Sequence, residues 1–307
     1  MIMSPRNVCL GAWLFSLLFG LTLLAHLTHG ASLEPLWQQV VQVPAWTWLA
    51  AAAAWHGATL AQAWRLQRSW QAVRPLSLGR CWSLSVHHGL VTRLMPLRLG
   101  DVSHAWLVHR EWGVGLGPAV RSLIWMRWQD VTTLLALALL ALVPLPLWGR
   151  LAVFALVLWL GAVFLPRQWV RRAAGHPGRS RWRLAIAEQA GSADGWIASG
   201  CSTALRLLGV AVVLQALIPT QPGALWLASL GIELSAWLPV QGLTGLGTYQ
   251  GGAWLGATLA GTAPQAFVAA ALVTHALGLA LASTAAIAAI AAQGHTPATA
   301  PTIHPVT

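Results

Sequence analysis

The chain has no lysine; all eighteen of its basic residues are arginine. That excludes a phosphate-binding loop with its lysine, a Schiff-base lysine and a Ser/Lys dyad, so no ATPase engine of the loop type resides here. Acid is scarce as well, with seven Asp and Glu among 307 residues and charged residues at 8% in all. A soluble domain carries roughly 25%, so little of this chain is built to face water. Three cysteines, Cys9, Cys81 and Cys201, are too scattered for a thiolate zinc site or a disulfide framework. They read as small apolar side chains.

What fills the space is hydrocarbon: hydrophobic residues make up 57% of the chain. They are gathered in runs over 8–28, 44–64, 119–143, 147–165, 196–218 and 266–292, with a further apolar segment from Ala224. Runs near 20 residues match the thickness of a bilayer core at the rise of an α-helix. The expected fold is all-α, a polytopic transmembrane helical bundle of about six to eight membrane segments. It occupies 1–292 as a single domain, with a Pro/Thr/Ala/His-rich tail at 293–307 read as disordered. The first run is longer than the roughly 7 to 15 apolar residues of a signal peptide, and is read as a retained helix.

The net charge of +11 does not point to nucleic acid, because the arginines fall largely in short loops between apolar runs, the positive-inside pattern. Arg65, Arg68, Arg74 and Arg80 follow the second run, and Arg167, Arg171, Arg172, Arg179, Arg181 and Arg183 follow the run ending near 165. Both loops, and the N-terminus, are therefore expected on the cytoplasmic side of an inner membrane. Residues 182–197 read either as an amphipathic helix on the anionic leaflet or as a topogenic loop only. Trp46, Trp148, Trp169 and Trp196 stand at expected span ends, where tryptophan anchors at the headgroup level.

Two stretches interrupt the pattern. Over 81–118 the polar residues His87, His88, Arg93, Arg98, Asp101, His104, His109, Arg110 and Glu111 occur with Pro96, Gly100 and Gly113. Over 239–252 a proline precedes Gly242, Gly245, Gly247, Gly251 and Gly252. Irregular backbone at membrane depth survives only where protein or water satisfies it. Each stretch reads as a broken or re-entrant segment, and together they read as a pseudo-repeat, the pattern that marks transport sites between internal repeats.

Charges inside spans are costly and carry a partner or a purpose. Arg127 and Asp130 are three apart and share a helix face, as are Arg98 and Asp101, and Asp101 and His104 if that stretch is helical. Each pair either neutralises itself and fixes packing, or offers Arg98 and Arg127 as guanidinium forks to a lipid phosphate while Asp101 and Asp130 orient them. Arg206 and Glu233 are the intramembrane charges of the second half, and Gly245, Gly247 and Tyr249 belong to a segment whose backbone could approach a headgroup. A tight helix-breaking turn is the commoner reason for such glycines. Trp125 and Trp128 flank Arg127, with packing as the default role and a cavity wall as the other. Eleven histidines match no zinc spacing, so no metal is expected.

The stretch Leu94-Met95-Pro96-Leu97-Arg98-Leu99-Gly100-Asp101, followed by Arg127-Trp128-Gln129-Asp130, resembles the Pro-x-Arg-x-Gly-acidic and Arg-x-x-Asp elements of the flippase-like membrane domain. That domain is joined to lysylphosphatidylglycerol synthase in the multiple peptide resistance factor and also occurs alone. Leu238-Pro239 and Gly245-Leu246-Gly247-Thr248-Tyr249-Gln250 resemble its second glycine-rich element, so the likeness runs over about residues 8–290. It departs at Asp101 and Gln250, where the family commonly has Glu, and at His104, where it commonly has Arg. The resemblance implies a lipid translocase that moves a phospholipid, glycolipid or isoprenoid lipid between leaflets, with no cofactor and no catalysis. Lysine addition to lipid is not expected of these residues. The alternative is a non-transporting partner that presents lipid to a glycosyltransferase or another lipid-modifying enzyme.

Overall fold

A computed structural model of the chain describes residues 5–29, 34–71, 75–95, 100–174, 193–238 and 240–293. Every regular element among them is helical: α1 (Pro5–Leu27), α2 (Glu34–Gln42), α3 (Ala45–Trp70), α4 (Leu78–Leu94), α5 (Asp101–Trp112), α6 (Leu116–Leu142), α7 (Leu147–Ala174), α8 (Ala193–Leu217), α9 (Pro222–Ser235), α10 (Thr248–Leu259) and α11 (Pro264–Gln293). A short 3-10 turn, Leu243–Gly245, precedes α10. The all-α reading holds. Three helices, Leu116–Leu142, Ala193–Leu217 and Pro264–Ala292, are long and apolar enough to cross a membrane, and the apolar helices Leu14–His26 and Leu147–Val163 are shorter. Many large apolar side chains face outward, among them Leu18, Leu49, Trp148, Leu156, Ile287 and Ile290, as a hydrocarbon-solvated exterior requires.

Antiparallel helices α3 and α8 form the spine. Gly57 faces Leu205, the Trp55 indole lies over Gly209, and Arg68 binds Asp194 at 2.6 Å, so the end of α3 meets the start of α8. At the other end Val43 and Ala51 pack with Leu214, Leu217 and Leu225. Two helical hairpins hang from this spine. The α4–α5 hairpin opens at the Arg68 end, where Gln67 Nε2 donates to the Leu76 carbonyl at 2.8 Å and Trp70 meets Trp112 edge-on at 6.3 Å. The α9–α10 hairpin opens at the opposite end, where Leu225 and Ala257 join the cluster around Leu217.

Local chemistry sets these boundaries. The Ser77 hydroxyl caps α4 by accepting from Arg80 N, and Gly113, at φ 64°, closes α5 in the left-handed conformation that glycine takes without strain. Pro222 starts α9, where a missing N–H costs nothing. Gln250 Oε1 accepts from Gly247 N at 2.8 Å and so caps α10 from within. The α9–α10 contact is backbone on backbone: a Cβ on Gly231 would stand 2.1 Å from the Gly252 carbonyl oxygen. This is the close approach that small residues permit between helices in lipid.

The region 81–118 is thus two helices joined across residues 95–100, and the glycine break is shorter than 239–252, since Gly251 and Gly252 lie inside α10. Pro96, Arg98, Pro239, residues 175–192 and the expected tail from 294 onward lie outside the described residues. Trp46 and Trp148 are exposed. Trp196, expected as an anchor, instead meets Trp125 edge-on at 6.2 Å. Trp128 Nε1 donates to the Gly161 carbonyl, so both tryptophans beside Arg127 serve packing.

Candidate functional site

The stripe Ala51, Ala54, Ala58 on α3 continues at helical spacing to Gln62 and Arg65, so the inward face of this helix turns from apolar to charged as it nears the molecule's centre. There the tips of both hairpins meet α3, α6 and α8 around a cavity of about 250 Å³. The first hairpin contributes His88, Arg93 and His104; the second contributes Glu233, Trp237, Gln241, Gly245 and Tyr249; α6 contributes Arg127 and Asp130, α8 Arg206, and α11 His275.

Three ion pairs brace the walls. Arg65 engages Asp130 through both guanidinium nitrogens, at 2.6 and 3.1 Å, and Ser199 Oγ adds a donor to the same carboxylate at 2.7 Å. The pair is nearly sealed, at 4% and 3% exposure, so it stands or falls as a unit. Arg127 binds Asp101 across the α5–α6 interface, hydrogen-bonds His88 Nε2 at 3.4 Å and lies over the Trp237 ring at 5.4 Å. Arg206 donates to Glu233 at 2.9 Å and to Ser202 Oγ at 3.1 Å.

The expected pairing of Arg127 with Asp130 is therefore corrected. Three residues apart on one helix, their side chains leave the axis in directions that let each reach a different neighbour: Asp130 meets Arg65, and Arg127 meets Asp101. The expected link from Asp101 to His104 is likewise replaced, since His104 is buried edge-on against His88 at 5.3 Å and Asp101 holds Arg127. The Arg206–Glu233 pair forms as the sequence suggested. Arg98 lies outside the described residues.

The glycine segment divides its labour. Gly245 borders the cavity, and the Tyr249 ring stacks on His275 at 4.8 Å. His275 Nε2 hydrogen-bonds the Thr244 carbonyl at 2.9 Å, fixing the turn to α11. Gly247 faces away from the cavity: a Cβ there would lie 2.5 Å from the Gly20 carbonyl, so its smallness serves the seating of α1. Sequence reasoning missed Arg65, His88, Arg93 and His275 as cavity residues. Extending the alanine stripe of α3 finds Arg65; for Arg93, which follows Gly89 by one helical turn, no such stripe existed to extend. No group of three or more His, Cys, Asp or Glu poised for a metal ion occurs among the described residues.

No protein-family model matches the chain, and neither does any curated protein. A polar, arginine-rich hollow inside a helical body with an apolar exterior is suited to receive an anionic or strongly hydrogen-bonding headgroup while its hydrocarbon stays outside. Three nitrogens of the lining residues are spare: Arg65 Nε, Arg127 Nε and His104 Nε2 are buried without a hydrogen-bond partner among the described residues.

Proposed function

We propose that this protein is a lipid translocase of the inner membrane, a flippase-like bundle whose central cavity takes the polar head of a lipid as it passes between leaflets. The observation that carries the reading is the convergence of four arginines, Arg65, Arg93, Arg127 and Arg206, on one cavity where the two hairpin tips meet. The resemblance of the Arg127-to-Asp130 and Gly245-to-Gln250 stretches to the flippase-like domain supports the same reading.

The hairpins open at opposite ends of the α3–α8 spine. With the arginine-rich loops in the cytoplasm, the α4–α5 hairpin re-enters from that side and the α9–α10 hairpin from the other. That is an inverted pair, and such pairs place a substrate site near the bilayer midplane. Counting α1, α3, α6, α7, α8 and α11 as spans with two re-entrant hairpins gives about eight membrane segments, the shorter ones completed by bilayer thinning and tilt. With no lysine in the chain to serve a phosphate-binding loop, the movement we propose follows a lipid gradient or the binding of an ion.

The test is reconstitution of the pure protein in vesicles with headgroup-labelled phosphatidylglycerol and phosphatidylethanolamine, followed by leaflet exchange. The wild type is expected to accelerate exchange of at least one of them, and Arg127→Ala to return it to the rate of protein-free vesicles. Exchange equal in the presence and absence of wild-type protein overturns the reading and favours a partner that presents lipid to an enzyme.

A further inference from the structure

Arg93 differs from the other cavity arginines. Arg65, Arg127 and Arg206 each hold a carboxylate, whereas Arg93 makes no hydrogen bond or ion pair among the described residues. Glu233 acts on it electrostatically but is already bound by Arg206. Four guanidiniums thus face three carboxylates, and one positive charge is left without a counter-charge among the described residues. A guanidinium in a low-dielectric interior is tolerated when an anion completes it.

Its position adds a second fact. Arg93 also borders a side cavity of about 100 Å³ between α3, α4, α8 and α11. The two cavities share Gln62, Ser85, Gly89, Arg93 and Arg206, so these residues form a neck. Beyond the neck the α4 and α11 walls are apolar, with Val86 and with Leu281, Ala282 and Ala285, while the α3 wall mixes Trp55 and Ala58 with His56 and Thr59. Glycines keep the neck clear: a Cβ on Gly89 would meet nothing within 4 Å, and one on Gly278 would stand 3.5 Å from an Arg93 nitrogen.

We propose that Arg93 binds a singly charged phosphodiester headgroup at this neck, and that the side cavity receives the first carbons of the same lipid's acyl chain. This rests on the lipid-translocation reading and names its substrate class. A diester matches the one surplus charge among the described residues, whereas a monoester or pyrophosphate brings more negative charge than these residues offset. The apolar α4 and α11 walls of the side cavity favour a lipid over a free phosphate.

The test is lipid retention by the purified full chain in detergent, read by native mass spectrometry and titration. The probes are phosphatidylglycerol, phosphatidic acid, diacylglycerol and the soluble headgroup glycerophosphoglycerol. Phosphatidylglycerol is expected to bind about tenfold or more tightly than diacylglycerol or the soluble headgroup, because neither supplies both a charged phosphate and a chain. Arg93→Ala is expected to weaken it by about tenfold and Arg93→Lys by less, since a lysine keeps the charge without the fork. Gly89→Leu fills the neck and is expected to weaken binding while thermal unfolding stays unchanged.

Phosphatidylglycerol binding unchanged in Arg93→Ala overturns the proposal. So does a preference for phosphatidic acid, or equal binding of the soluble headgroup. Leaflet exchange is measured separately: exchange by a wild type whose lipid binding ignores Arg93 sinks this site and leaves translocation standing. Arg93-dependent binding without exchange sinks translocation and leaves the site.

Discussion

At the scale of single residues, the cavity is organised by which arginine finds which carboxylate. Arg65 and Asp130 are sealed together with Ser199, so removing one partner strands the other in a medium that cannot hydrate it. Arg65→Ala is expected to destabilise the protein by about 3–5 kcal/mol, read as a fall in melting temperature in detergent. The double substitution Arg65→Met with Asp130→Leu is expected to recover most of that loss, because a shape-matched apolar pair leaves no buried charge. The sequence marked Asp130, Arg127, Asp101, Arg206 and Glu233 as charges in apolar surroundings, and all but Asp101 border the cavity directly while Asp101 reaches it through Arg127. It could not assign Asp130 to Arg65, since helical spacing reports only neighbours on the same helix. Arg65 itself read as a loop residue because the apolar run stops at Trp64, although α3 continues to Trp70.

At the scale of elements, the hairpin α9–α10 depends on glycine for its existence. Gly231, Gly252 and Gly256 bring two backbones into contact, and any Cβ at Gly231 or Gly252 would fall within 2.3 Å of a carbonyl oxygen of the facing helix. Gly231→Leu is expected to push the helices apart at a cost of about 1–3 kcal/mol or more, seen as lowered melting temperature and faster proteolysis of the second half. Substitution at Gly223, where a Cβ meets nothing within 4 Å, is the control and is expected to be neutral. The sequence located both breaks through their prolines, glycines and polar residues. It overstated the second, because Gly251 and Gly252 mimic a loop by composition while serving close packing inside a helix. It also stopped α7 near 165, whereas the helix runs to Ala174 past the first arginines of the basic loop.

At the scale of the whole molecule, the two hairpins give the bundle opposite-facing mouths. In a background without the native cysteines, Arg68→Cys is expected to react with an impermeant maleimide only from the cytoplasmic side, and Thr262→Cys, just beyond α10, only from the other. Both reacting from one side would remove the inverted arrangement. The ionic ties have a direction of their own: Asp101–Arg127 joins α5 to α6, Asp130–Arg65 joins α6 to α3, Asp194–Arg68 and Glu233–Arg206 carry the link through α8 to α9. Among the described residues no such tie reaches α4 or α11. Where an ion pair is shut away from water, its separated guanidinium and carboxylate have nothing else to turn to, so the more buried ties lock α5 to α6, α6 to α3 and α8 to α9, while the exposed Arg68–Asp194 pair adds little. Helices α4 and α11 are held by packing and by hydrogen bonds, Arg127 to His88 and His275 to the Thr244 carbonyl among them, and can slide without unmaking an ion pair. If the bundle widens to let something large through, the seam that parts is the one along α4 and α11.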